Sequence, residues 1–139
     1  ISKITSELEF NTLALRVFKF QYEANAVYQK FCKLLDKHPS NVNSLRDIPF
    51  IPIEFFKSHD ILSSKEPIVK TFTSSGTTGS QTSKHFITDL TIYEDSFNIA
   101  FQEFYGNPED YAILALLPSY LERDGSYFIF IIWKTLRKH

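Results

Sequence analysis

The chain has 139 residues, 43% of them hydrophobic and 16% aromatic, and a formal net charge of −1. That composition supports a packed core and excludes disorder, while the near-zero charge offers no global attraction to nucleic acid or an anionic membrane. A single cysteine excludes an internal disulfide, and no secretory leader is recognisable, so the expected location is cytoplasmic.

In chain order, Ser6 and Glu9 have the spacing of a capping box. Phe10, Leu13, Val17, Phe20, Ala24, Val27, Phe31 and Leu34 then recur at three- and four-residue steps. The spacing predicts one long helix, ended near His38 by Pro39, with Lys33 and Lys37 suiting its negative end. It is also the seam of a coiled coil, which keeps a helical interaction module without nucleotide binding as the alternative function. Ala14, Phe18, Tyr28 and Leu35 widen the stripe and favour a helix packed on a domain. Cys32 reads as a small structural hydrophobe beside that stripe.

Residues 39–45 are polar and turn-rich, which sets the expected division into a helical segment, 1–45, and an α/β segment, 46–139. Pro49 and Pro52 hold the next stretch extended before a short helical turn over 53–58. Residues 68–72 and 85–88 read as strands. Thr91 and Glu94 form a second capping box, opening a helix that runs to Tyr105 and stops at Gly106. Its expected buried face is Tyr93, Phe97, Ala100, Phe101 and Phe104. The apolar run 111–117 predicts a central strand ended by Pro118, with a third helix from about Gly125. Strand and helix alternate, so the expected fold class is α/β. The apolar runs 111–117 and 127–133 are too short to span a bilayer.

The most informative stretch is the loop Thr73-Ser74-Ser75-Gly76-Thr77-Thr78-Gly79-Ser80-Gln81-Thr82-Ser83-Lys84-His85. Glycine permits positive φ and close approach to the main chain. Successive N–H groups in such a turn converge on an anion. Hydroxyls add donors and Lys84 adds a mobile cation. No Asp or Glu occurs in residues 67–88, whereas Lys70, Lys84 and His85 do. The local field therefore suits a polyphosphate. No Gly-Lys-Ser or Gly-Lys-Thr follows the loop, which excludes a Walker A site, and no Gly-x-Gly occurs for a Rossmann turn.

The run Thr73-Ser74-Ser75-Gly76-Thr77-Thr78-Gly79 resembles the phosphate loop of the adenylate-forming superfamily. With Ile48-Pro49-Phe50-Ile51-Pro52-Ile53-Glu54-Phe55-Phe56-Lys57-Ser58-His59 and Leu116-Leu117-Pro118-Ser119-Tyr120-Leu121-Glu122-Arg123, it is similar to the acyl-protein synthetases of bacterial luminescence fatty-acid reductase. The likeness runs from about Phe10 to Phe130. Two departures from the wider superfamily, the cation at Lys84 two places late and Leu121 in place of a histidine, are similar to that branch.

The resemblance implies the first strands and helices of an adenylate-forming large domain, with ATP and Mg²⁺ as cosubstrates. It also implies a fatty or other carboxylic acid as substrate and a protein thiol or other acceptor for the acyl group. ATP phosphates would lie on Ser74, Ser75, Gly76, Thr77, Thr78, Gly79 and Lys84. The acyl-adenylate would lie near Ser119, Tyr120 and Arg123, although Arg123 can equally pair with Glu122 or Asp124. The family's ribose-gripping Asp, acyl-accepting Cys and late catalytic Lys have no counterpart here, so the chain is expected to be the N-terminal part of a larger enzyme. The four histidines, His38, His59, His85 and His139, lack metal-ligand spacing, so no metal site built from side chains is expected. His59 belongs to a family-like segment and His85 adjoins the loop. No base is evident for Ser74, Ser75 or Ser119.

Overall fold

The first helix, α1 (Glu7–Ala24), begins where the capping pattern places it, with Ser6 Oγ accepting from the Glu9 amide at 3.2 Å. In the computed structural model, which describes residues 4–74, 81–112 and 130, the Glu9 carboxylate reaches one residue further back than a capping box requires. It accepts from the Thr5 amide at 2.8 Å and from the Thr5 hydroxyl at 3.0 Å. These bonds, the amide one first, hold the Glu9 carboxyl below the usual range. The chain divides into two compact units, residues 1–66 and 67–139.

The long helix expected to reach His38 is two helices. Asn25 is extended, at φ −111° and ψ 104°, and separates α1 from α2 (Ala26–Leu34). Asn25 Oδ1 caps the second helix by accepting from the Tyr28 amide at 3.0 Å. An Asn side chain competes locally with the helical hydrogen bond, and this one is also buried. Gln29 Nε2 bridges the break by donating to the Tyr22 carbonyl at 3.1 Å.

The second helix also stops earlier than Pro39. Asp36 has φ +51°. The Asp36 amide donates to the Lys33 carbonyl at 3.2 Å and the Lys37 amide to the Cys32 carbonyl at 2.9 Å. That pair of bonds is a Schellman ending with Asp36 in the left-handed position.

The core of the first unit is Phe18, Cys32 and Val42, with Leu15, Tyr22, Tyr28 and Ile48 packed against it. The Phe18 ring meets Tyr28 edge-on at 6.2 Å, and Tyr28 Oη donates to the Pro49 carbonyl at 2.6 Å. Cys32 therefore behaves as the small core residue its surroundings suggested. The buried face of α1 is only partly the predicted one, for Phe18, expected to widen the stripe, is buried while much of the narrow seam is not. Phe10, Val17 and Phe20 are 48%, 47% and 55% exposed, while Leu15, Phe18 and Tyr22 face the core. Phe18 lies one residue beyond Val17, about 100° round the helix. The expected turn over 53–58 forms as α3 (Phe55–Ser58), whose Phe55 ring packs against Phe31 at 5.7 Å.

The second unit contains an antiparallel hairpin, β1 (Lys70–Thr73) and β2 (Lys84–Ile87), followed by α4 (Leu90–Tyr105). The cap of α4 is Asp89 rather than Thr91: its carboxylate accepts from the Thr91 amide at 2.9 Å and hydroxyl at 2.6 Å. A charged acceptor at a helix N-terminus outcompetes the hydroxyl two residues later. Gly106, at φ +86°, ends the helix as the sequence predicts. Tyr93, Phe97 and Phe101 are half-buried, but Ala100 is exposed and Phe104 is 81% exposed, so the covered face is narrower than expected.

Among the described residues the architecture is mixed, helices with one two-stranded sheet, which is compatible with the α/β class. The expected central strand over 111–117 and third helix from Gly125 lie, past Ala112, outside the described residues except for Phe130, which is helical.

Candidate functional site

The hydroxyl-rich loop returns directly into a strand. Lys70 pairs with Ile87, Thr71 with Phe86, Phe72 with His85 and Thr73 with Lys84. The Ser74 amide then donates to the Ser83 carbonyl at 3.1 Å, and Ser74 Oγ accepts from the Ser83 amide at 3.0 Å. Both ends of the loop are thereby held at a fixed separation. Ser74 and Lys84, which the sequence assigned to the site, come together at this neck. Ser75, Gly76, Thr77, Thr78 and Gly79 lie outside the described residues, as do Ser119, Tyr120 and Arg123.

Residues directly opposite in a hairpin share a face, and faces alternate along each strand. One face carries Lys70, Phe72, His85 and Ile87, and the other Thr71, Thr73, Lys84 and Phe86. The first face is committed to packing: Phe72 and Ile87 are buried, and the Phe72 ring stacks on Tyr93 of α4 at 5.2 Å and 29°. Phe130 meets both rings, at 5.3 Å from Phe72 and 6.1 Å from Tyr93. This aromatic support was missed in the sequence. The alternation of Phe72 with two threonines is the signal that would have exposed it.

His85 lies on the packed face, its ring 6.4 Å from that of Tyr93. The residue keeps an exposed edge, yet partial burial of the ring pushes its imidazole below the ordinary value. That shift favours the neutral ring. His59 belongs to the other unit, where it stacks on Phe55 at 5.0 Å and its Nδ1 lies 2.8 Å from Ser58 Oγ.

The electrostatics of the neck are simple. Among the described residues the ion pairs are Lys37 with Asp47 and Asp36 with His38, both in the first unit. Lys84 has no carboxylate partner among them. The nearest carboxylate after the loop, Asp89, is engaged at the start of α4, where the Thr91 hydroxyl above all holds its carboxyl below the usual range. Among the described residues the neck thus carries the exposed Thr73 hydroxyl and Lys84 ammonium with no carboxylate beside them. Among the described residues no group of three His, Cys, Asp or Glu side chains could hold a metal ion, and no helix is long and apolar enough to cross a membrane.

Comparison with curated proteins and with solved structures gives no match. One family model matches, that of the acyl-protein synthetase LuxE, over residues 2–107. That span takes in α1, α2 and α3 of the first unit, the Pro49 segment, the whole hairpin with its loop, and α4. The chain belongs to the LuxE acyl-protein synthetase family, enzymes of the ligase kind that take an acid and a protein acceptor.

Proposed function

We propose that the loop joining β1 to β2 holds the outer phosphates of ATP while a carboxylic acid is activated. In this reading a carboxylate oxygen attacks the α-phosphorus, pyrophosphate departs, and the acyl-adenylate passes its acyl group to a protein thiol with release of AMP. The observation that carries it is a carboxylate-free segment, residues 67–88, whose loop is pinned at its neck beside Lys84. Backbone amides of residues 75–79 would bind the β- and γ-phosphates, with Ser74, Thr77 and Thr78 hydroxyls assisting and Lys84 as a further cation. Ser119, Tyr120 and Arg123 would lie near the acyl-adenylate. Mg²⁺ enters with ATP as part of the substrate. A segment with hydroxyls and amides but no carboxylate suits phosphate oxygens, not the hard cation itself.

The wider reading is that the chain supplies the first part of an adenylate-forming large domain acting on fatty acids in the cytoplasm, as the N-terminal portion of a longer enzyme. The test is carboxylate-dependent exchange of pyrophosphate into ATP by the protein that carries this sequence. Exchange that requires both Mg²⁺ and a fatty acid is the expected result. Acyl transfer without ATP consumption would contradict it.

A second reading is favoured by one observation. The three-and-four seam of α1 is exposed at Phe10, Val17 and Phe20, as a helical interaction module would require. Sedimentation at increasing concentration distinguishes the two, because such a module associates without any response to nucleotide.

A further inference from the structure

We propose that Thr73 is a polyphosphate contact and that the anion meets the hairpin on the face Thr73 shares with Lys84. The inference rests on the phosphate-loop reading above and adds a residue and a direction to it. Ser74 and Ser83 form a hydrogen-bonded pair, so the alternation of an antiparallel ladder makes Thr73 and Lys84 a pair without mutual backbone bonds. Side chains of such pairs stand closest together, with Cα atoms about 4.5 Å apart. The Thr73 and Lys84 side chains therefore leave the same face from directly opposite positions, one residue before the neck closes.

Both residues are exposed, and neither has a side-chain hydrogen bond or ion pair among the described residues. The opposite face cannot serve. Phe72 and Ile87 are buried there, Phe72 is stacked on Tyr93, and His85 leans on the same ring. A hydroxyl beside an ammonium, with no carboxylate between residues 67 and 88, matches phosphate oxygens that accept from both.

The test is amide hydrogen exchange of the full chain across residues 70–88, titrated with Mg·ATP and with tripolyphosphate. The unaltered protein is compared with Thr73→Val, Lys84→Gln, Lys84→Arg and His85→Gln. Valine keeps the β-branched shape of threonine and tests only the hydroxyl, and far-UV circular dichroism checks the fold of each variant. Ligand-dependent protection is expected in the unaltered chain. Lys84→Gln should raise Kd about tenfold or more and Thr73→Val several-fold, Lys84→Arg should restore most of the loss, and His85→Gln should stay within about twofold. Unchanged Kd in both Thr73→Val and Lys84→Gln, with protection intact, would overturn the face assignment alone. Absence of protection in the unaltered chain would overturn the phosphate-loop reading and this inference with it.

Discussion

Asn25 Nδ2 donates to Ser63 Oγ at 3.2 Å, joining two residues 38 apart in sequence at the break between α1 and α2. Ser63 passes the bond on by donating to Gln21 Oε1, so the end of α1, the start of α2 and the segment leaving the first unit are tied through one hydroxyl. Asn25 is 2% exposed, and its Oδ1 caps α2 in the same geometry.

Asn25→Ala removes a helix cap and a buried partner together. We expect a loss of about 2 kcal/mol, combining about 1 for the cap with about 1 for the hydrogen bond. Ser63→Ala leaves the cap intact but loses the bonds to both Asn25 and Gln21, and should cost about as much, about 2 kcal/mol. Urea midpoints of the two variants check both values, and a loss in Asn25→Ala of about 1 kcal/mol or less would show that the cap contributes nothing.

Asp36→Gly should stabilise the chain. An L-residue in the left-handed region pays about 1 kcal/mol that glycine does not. Glycine's greater freedom in the unfolded chain offsets part of the gain, leaving about 0.5 kcal/mol. The exposed contact between Asp36 and His38, at 4.0 Å, contributes little to the balance. A raised melting temperature is the expected reading, and a lowered one would mean that the Asp36 side chain holds the ending together.

Burial pushes both the Cys32 thiol and the Tyr28 phenol up. Above about pH 8.5, the ordinary thiol value, the unfolded chain gives up a proton that the folded chain keeps. The unfolded state then binds fewer protons, so stability falls as pH rises through this window and on toward the raised folded values. Below about pH 8 these two groups give no slope. Cys32→Ala should flatten the lower part of the decline and Tyr28→Phe the upper part. Urea midpoints from pH 7 to about 11 provide the measurement, and a rise in stability across that range would contradict it.

How much of this was legible in the sequence depends on how local each cause is. The Ser6 cap, the Gly106 stop, the short turn at Phe55 and the return of the loop into a strand are set by neighbouring residues, and the structure has them. The break at Asn25 was not legible, because apolar spacing continues through Ala24, Val27 and Phe31 while the side chain that stabilises the break, Ser63, lies far away in sequence. Two neighbouring apolar stripes on α1 satisfied the same period, and only packing by Val42 and Ile48 selects Phe18 over Val17. Thr91 matched a capping pattern, but Asp89 supplied a stronger acceptor two residues earlier. At the candidate site, composition pointed to the loop, whereas the distinction between its two faces needed the strand register.

The central claim is that backbone amides of the loop hold ATP phosphates, and Gly76→Val tests it most directly. A Cβ at this position removes the positive-φ freedom and obstructs close approach of a phosphate to the main chain. The measurement is carboxylate-dependent ATP–pyrophosphate exchange in the intact protein that carries this sequence, with Lys84→Ala alongside and folding of both variants checked by thermal melting. We predict that Lys84→Ala lowers exchange about tenfold to a hundredfold, as expected for one charge-assisted bond of roughly 1.5–3 kcal/mol, and that Gly76→Val lowers it further. Exchange by Gly76→Val within about twofold of the unaltered protein, less than roughly 0.5 kcal/mol, would show that the loop does not hold phosphate.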